Sequence, residues 1–299
     1  MSLMRPKEIG LGGVALLGAI VLAPGLSLSG CAEGQLPGEY ELVRVFEVEG
    51  RQGIATDGQR YYVSGSKALY VYSKDGTLET LNEDPFAALE KQANHIGDIS
   101  VHDGEIYAGI EWFDSGSASN IQIAVYDTET LGFLRSIDWD PDSGQVEVSG
   151  VAVDPVRSAI WLTDWTDGRY LYRYDLRTGI HDGKLHLRPI PQWQQGITYF
   201  DGHLFITADD GDADEDEVDN LWRLPAEAGG TATYVVHEKA FDEFRRAGEI
   251  EGLAFDAGAR ELLVLSNRGK RIVQGMPTGL YPGYEREIHE VYVYSLPDR

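Results

Sequence analysis

The chain has 299 residues, 42% of them hydrophobic, enough for a sizeable globular core, with 35 glycines and one cysteine. Its 49 acidic residues against 25 basic give a formal charge of −24, which excludes a nucleic-acid partner, since a phosphate backbone needs a basic footprint, and a polybasic hold on anionic lipid. A single cysteine excludes an internal disulfide framework and any CxxC or Cys/His zinc site.

In chain order, the first predicted element is a targeting segment, residues 1–30. Arg5 and Lys7 precede an apolar run from Ile9 to Leu26, broken by Pro24 and Gly25, and the segment leads into Leu28-Ser29-Gly30-Cys31. A signal peptide needs a charged start, a short apolar core and small residues at the cut. The break suits a cleaved leader better than a membrane span of about 20 residues. Leu-Ser-Gly-Cys resembles the lipobox of bacterial lipoproteins. The resemblance implies cleavage before Cys31, a diacylglycerol thioether on its sulfur, and a place in the bacterial cell envelope on the periplasmic or outer side. An uncleaved anchor with a free thiol is the alternative. Residues 31–39 then form a lipidated tether and 40–299 the folded domain. Removing 1–30 leaves a formal charge of −25. Such a lysine-poor, acidic surface suits salt adaptation, or simply an acidic extracytoplasmic protein.

Five segments of one form follow. Their first strands are Gln52 to Asp57, Gly97 to Val101, Ser149 to Asp154, Gln195 to Tyr199 and Glu251 to Asp256. The apolar residues Ile54, Ile99, Val151, Ile197 and Leu253 lie 45, 52, 46 and 56 residues apart, and four of the five strands carry a glycine at the same place. Each is followed by a turn and a second strand: 61–64, 106–109, 160–163, 204–207 and 262–265. Third strands are predicted at 69–72, 123–126, 171–174, 221–224 and 291–294, all β-branched or aromatic. Outer fourth strands are expected at 77–81, 133–138, 184–188 and 231–236. The last unit lacks one, whereas Tyr40 to Val48 is a strand without a unit. Joining the two closes a ring and hides the sheet edges. The expected fold is an all-β, five-bladed β-propeller closed by its N-terminal strand. A sixth, degenerate blade within 267–290 is the alternative. Short helices are expected at Pro85 to Ala93 and Lys239 to Ala247.

In such a ring the starts of the inner strands and the ends of the second strands share one face. The starts bring Arg51, Gln52, Asn94, His95, Asp98, Glu147, Gln195, Glu249 and Glu251; the ends bring Ser66, Glu111, Trp112, Asp164, Trp165, Asp209, Asn267 and Arg268. Arg51, Gln52, Asp98, Asp164, Gln195 and Arg268 are the candidate ligand-binding residues, the arginines for an anionic group or for relief of the acid excess. Ca²⁺ wants six to eight oxygens, and Glu111, Asp209, Glu251 and Asn267 are the candidate metal ligands. The alternative is a solvated polar channel. His95 beside carboxylates is a candidate general base, or a structural histidine. Asp210, Asp212 and Asp214 are spaced as at the start of an EF-hand loop, but Glu215 and Leu221 stand where that motif needs Gly and Glu. That leaves a weak calcium loop or a solvated acidic one.

The inner-strand pattern Gln/Glu-Gly-Ile/Leu resembles several bacterial propeller families. Glu251-Gly252-Leu253-Ala254, followed by Leu262 to Asn267, looks like the closing blade of SdiA-regulated and phytase-like esterase propellers, and the start is also like the SMP-30/gluconolactonase group. The latter resemblance implies a divalent metal in the channel. Gln52-Gly53-Ile54 is similar to the opening of glutamine cyclotransferases, but Val63-Ser64-Gly65-Ser66 lacks the glutamate that such activity implies. Two functions are thus expected: a lipid-anchored propeller, monomeric, binding a small ligand or a protein partner on its top face, or a metal-dependent hydrolase or lactonase.

Overall fold

Runs of Val, Ile, Tyr and Trp punctuated by Gly, Asp and Pro form strands through the whole described chain. The computed structural model describes residues 39–114, 117–166, 168–209, 218–226, 230–244, 247–273 and 275–297. Cys31, the targeting segment and the acidic residues 210–217 lie outside them.

β1 (Glu41–Val48) comes first. Blade 1 is β2 to β5 (Gly53–Thr56, Arg60–Gly65, Ala68–Ser73, Leu78–Asn82), and blade 2 is β6 to β9 (His95–His102, Glu105–Asp114, Ser117–Asp127, Phe133–Asp138). Blade 3 is β10 to β13 (Gly150–Asp154, Ala159–Thr163, Tyr170–Asp175, His181–Arg188). Blade 4 holds β14 to β16 (Gln194–Phe200, His203–Ala208, Asn220–Pro225); β17 (Ala232–Tyr234) and β18 (Val236–Ala240) follow. Then come β19 (Ile250–Asp256), β20 (Glu261–Arg268), the hairpin β21 and β22 (Lys270–Val273, Met276–Leu280), and β23 (Ile288–Ser295).

The protein is a five-bladed β-propeller. Blade 5 has the order β1-β23-β20-β19, so the N-terminal strand is its outer strand, with Leu42 opposite Tyr294 and Val48 opposite His289. The five inner strands touch one another in a closed cycle, β2 to β6 to β10 to β14 to β19 and back to β2. Residues 267–290 contain a two-stranded hairpin, not a sixth blade. The core is correspondingly a ring of apolar clusters, each filled from two adjacent blades. Blades 5 and 1 share Val48, Ile54, Tyr61 and Val293; blades 4 and 5 share Phe205, Leu253, Tyr292 and Tyr294. Each fully buried large apolar side chain contributes about 1.5–3 kcal/mol, so no blade is stable without its neighbours.

Two expectations are corrected. No helix forms at 85–93 or among the described residues of 239–247; among the described residues the helical element is one 3₁₀ turn, Pro141–Ser143. Phe86, Leu89 and Ala93 instead plug the seam of blades 1 and 2 from a run of turns, and Phe241 and Phe244 stack 4.8 Å apart in the seam of blades 4 and 5. Segments this short do not repay helix nucleation, and burial of their rings decides the backbone. The outer strand of blade 4 also differs from the expected 231–236. It is β18, paired with β16, whereas β17 crosses over and pairs in parallel with β13 of blade 3. Pairing with a remote edge leaves no local pattern to read.

Four glycines and one aspartate define the axis. Gly53, Gly150, Gly196 and Gly252 precede the buried apolar residue of their inner strands; in blade 2 that place is taken by Asp98. Its carboxylate spans the channel, 1% exposed. Oδ2 accepts the Ile197 amide at 3.1 Å, and the Ile54 and Ile99 amides also face the carboxylate. A Cβ at Gly53 would meet Oδ1 at 2.6 Å and one at Gly196 would meet Oδ2 at 2.9 Å, so these strands approach only because they carry glycine. The side chain therefore divides the channel, with one cavity on the top face and a smaller one below among Thr56, Ser100, Val153 and Phe255.

Candidate functional site

The strand ends meet in a top-face cavity of about 290 Å³. Blade 1 contributes Arg51, Gln52 and Ser66, blade 2 His95 and Phe113, blade 3 Glu147, Ser149 and Trp165, blade 4 Gln195, and blade 5 Glu249 and Glu251. The β21–β22 hairpin adds Lys270, Ile272, Gly275 and Pro277, and Glu287 enters from the segment before β23. Gly275 in the hairpin turn lies against the Phe113 ring, where a Cβ would come within 3.1 Å, so the hairpin walls the blade 2 side.

Of the candidate ligand-binding residues, Arg51, Gln52 and Gln195 line this cavity, as does the candidate base His95. Asp98 is the divider below it. Asp164 is buried in blade 3, accepting the Tyr172 hydroxyl at 2.9 Å and the Glu147 amide at 3.3 Å. Arg268 is clamped bidentately by Glu290 at 2.8 and 2.9 Å and borders a separate depression with Tyr284 and Arg286.

The candidate metal ligands divide among three neighbourhoods. Asn267 Nδ2 donates to Glu251 Oε1 at 2.5 Å and to the Arg51 carbonyl at 2.9 Å, while its Oδ1 faces His289 Nδ1 at 2.8 Å. Burial pushes the pKa of His289 down to about 4; the two acceptors facing Nδ2 set the direction of the amide, and with Oδ1 turned to His289 its Nδ1 is the donor. Glu111 Oε2 accepts the Val148 amide at 2.9 Å and its Oε1 holds His95 Nδ1 at 3.2 Å. The Asp209 amide donates to the Trp193 carbonyl at 3.0 Å. Among the described residues no group of three or more His, Cys, Asp or Glu is gathered as a metal needs. Asn267 thus turns donors toward Glu251, and Arg51 stands at the same carboxylate, an arrangement that does not fit a divalent ion.

Charge in the cavity is concentrated around two groups. Arg51 is held by Glu287 at 2.9 Å, Glu249 at 3.1 Å and Glu251 at 3.5 Å. Burial lowers its pKa, but Glu251, Glu249 and Glu287 outweigh that and raise it. Glu251 is 2% exposed; burial pushes its pKa well up against the pull of Arg51, aided by Glu249, Glu287 and Asp98. Across the cavity Glu147 is also pushed well up, by burial and then by the charges of Glu111 and Asp164. It accepts the Trp165 amide at 2.5 Å. The Trp165 ring lies 4.7 Å from Trp193, and its buried Nε1 has no hydrogen-bond partner. Where His95 Nδ1 donates to Glu111 Oε1, Nε2 is left as an acceptor, the arrangement of an oriented general base.

Sequence reasoning placed Glu147 and Glu249 on this face without assigning them a role; Phe113, Lys270, Pro277 and Glu287 it missed. The signal for the last three was the unusual length of the 269–290 connection, which marks a functional loop.

Fold and site together define the class: a five-bladed propeller with a blind, acidic, partly aromatic top cavity. No family model and no curated protein matches the sequence. Among solved structures the chain is similar to one in the mitotic checkpoint complex, at 10% identity and TM-score 0.44, covering 94% of this chain and 100% of that one. It is also similar to U3-55K, at 9% identity and TM-score 0.49, covering 85% and 100%. At these values the likenesses carry no argument about function; the fold rests on the strand order of the chain itself.

Proposed function

We propose that the protein is a lipid-anchored, extracytoplasmic propeller that binds a small ligand in its top-face cavity. The observation that supports this reading is the convergence of all five blades on one cavity closed below by Asp98, the geometry of a small-molecule site. The anchor rests on the Leu28 to Cys31 motif. The test uses the full-length chain in detergent: a metabolite library is screened by thermal shift. A ligand that raises Tm in the parent but not in Gln195→Ala supports the reading; no ligand anywhere in the library overturns it. Ca²⁺ is screened with and without chelator; no reversible shift is expected, because Glu251 and Asn267 are already bonded to each other, and a shift abolished by chelator overturns that expectation. In cells, Cys31→Ser leaves the membrane fraction if the anchor is right and stays in it if the anchor is wrong.

A second reading, a hydrolase or lactonase, is favoured by His95 on the cavity wall, backed by the buried Glu111. His95→Gln then abolishes turnover of an ester and lactone panel while ligand-induced stabilisation persists. Absence of turnover in the parent overturns it.

A further inference from the structure

We infer that the top-face cavity, on the binding function proposed above, takes a small organic cation, held by Glu147 and Glu251 and by the ring faces of Phe113 and Trp165. Three kinds of observation lead there. The first is charge. The wall carries Glu147, Glu249, Glu251 and Glu287 against only Arg51 and Lys270 as full cations. Arg51 is surrounded by three of those carboxylates, so an anionic ligand would have to displace them. Glu147 lies on another blade, among the acids Glu111 and Asp164, and among the described residues no basic side chain is bonded to it. Both Glu147 and Glu251 are buried acids whose negative form lacks sufficient positive charge nearby, and an ammonium or guanidinium would supply it.

The second is the wall chemistry. Phe113, Trp165, Ile272 and Pro277 make part of the lining apolar. Aromatic faces attract organic cations through the ring quadrupole and suit them better than a bare metal ion, which wants a tight oxygen shell. Trp165 is 8% exposed, and its Nε1 is buried without a partner. A buried donor of this kind calls for an acceptor, here a carbonyl or hydroxyl on the same ligand. The third is size. At roughly 30 Å³ per water-sized unit, about 290 Å³ holds on the order of ten non-hydrogen atoms, the scale of a diamine, an amino-acid amide or a guanidine rather than a peptide or glycan.

The test is isothermal titration calorimetry on the full-length chain in detergent with five probes: cadaverine, agmatine and choline as cations, 1,5-pentanediol as the neutral match and glutarate as the anionic one. At least one cation is expected to bind tenfold or more tightly than pentanediol. Glu147→Gln weakens it about tenfold, and Lys270→Gln, which removes a like charge, tightens it. The tightening is a readout that a merely structural effect of either substitution would not produce, and melting curves of both variants check the fold. Equal or tighter binding of pentanediol or glutarate overturns the cation assignment while leaving the cavity as a ligand site. Binding of none of the five overturns it as well; if the library screen also finds nothing, the binding function falls with it.

Discussion

Asp98 joins three blades at the axis of the ring. One carboxylate receives or faces amides from three blades, Ile54, Ile99 and Ile197, at a place where its four counterparts are glycine. Asp98→Ala removes the shared acceptor and leaves a hole on the axis, costing about 2–4 kcal/mol. The expected fall in Tm is about 5–15 °C, read by calorimetry; an unchanged Tm would show that the ring closes without this clasp. Asp164 carries a pH dependence. Burial raises its pKa from 3.8 to about 7, against the Tyr172 hydrogen bond. The folded state therefore binds the proton more tightly than the unfolded chain, so its contribution is complete below about pH 4 and is lost as pH rises through about 7. Tm measured from pH 8 down to pH 5 should rise, and Asp164→Asn should flatten part of that rise. A profile identical in the variant would remove Asp164 as its source.

Among the elements, β1 is the one on which ring closure depends. It covers the open edge of β23 along seven paired positions and sends Val48 and Phe46 into the seam of blades 5 and 1 and Leu42 into the seam of blades 4 and 5. Deleting 40–48 should expose β23 as an unpaired edge. The expected result is a shift to larger species than the parent on size-exclusion and a Tm lower by about 10 °C or more; a truncation with the parent's elution volume and Tm would refute the closure argument. The hairpin β21–β22 behaves differently. It pairs only with itself and contributes to the site rather than to the ring, which is why the long connection after β20 read as irregular.

For the whole molecule, part of the acid surplus has a structural use. Asp57, Asp127, Asp154, Asp175 and Asp256 each accept turn amides at strand ends, while Asp103-Gly104 and Asp201-Gly202 form turns with positive φ. The five units, their turns and the closing strand were legible in the sequence because strand, turn and alternation are local patterns that repeat five times. Arg51, Gln52, His95, Gln195 and Glu251 were legible as residues of one face for the same reason. Whether a strand-end side chain enters the cavity, divides the channel as Asp98 does or turns into a blade as Glu111 and Asp164 do depends on neighbours 8 to 99 residues away, and no local period encodes that. Composition, the N-terminal motif and the blade repeat were thus determined by the sequence alone. The parallel pairing of β17, the hairpin wall and the gathering of Glu147, Glu249, Glu251 and Trp165 around one cavity were decided only by the tertiary structure, because ring closure brings together chain segments that share no local signal.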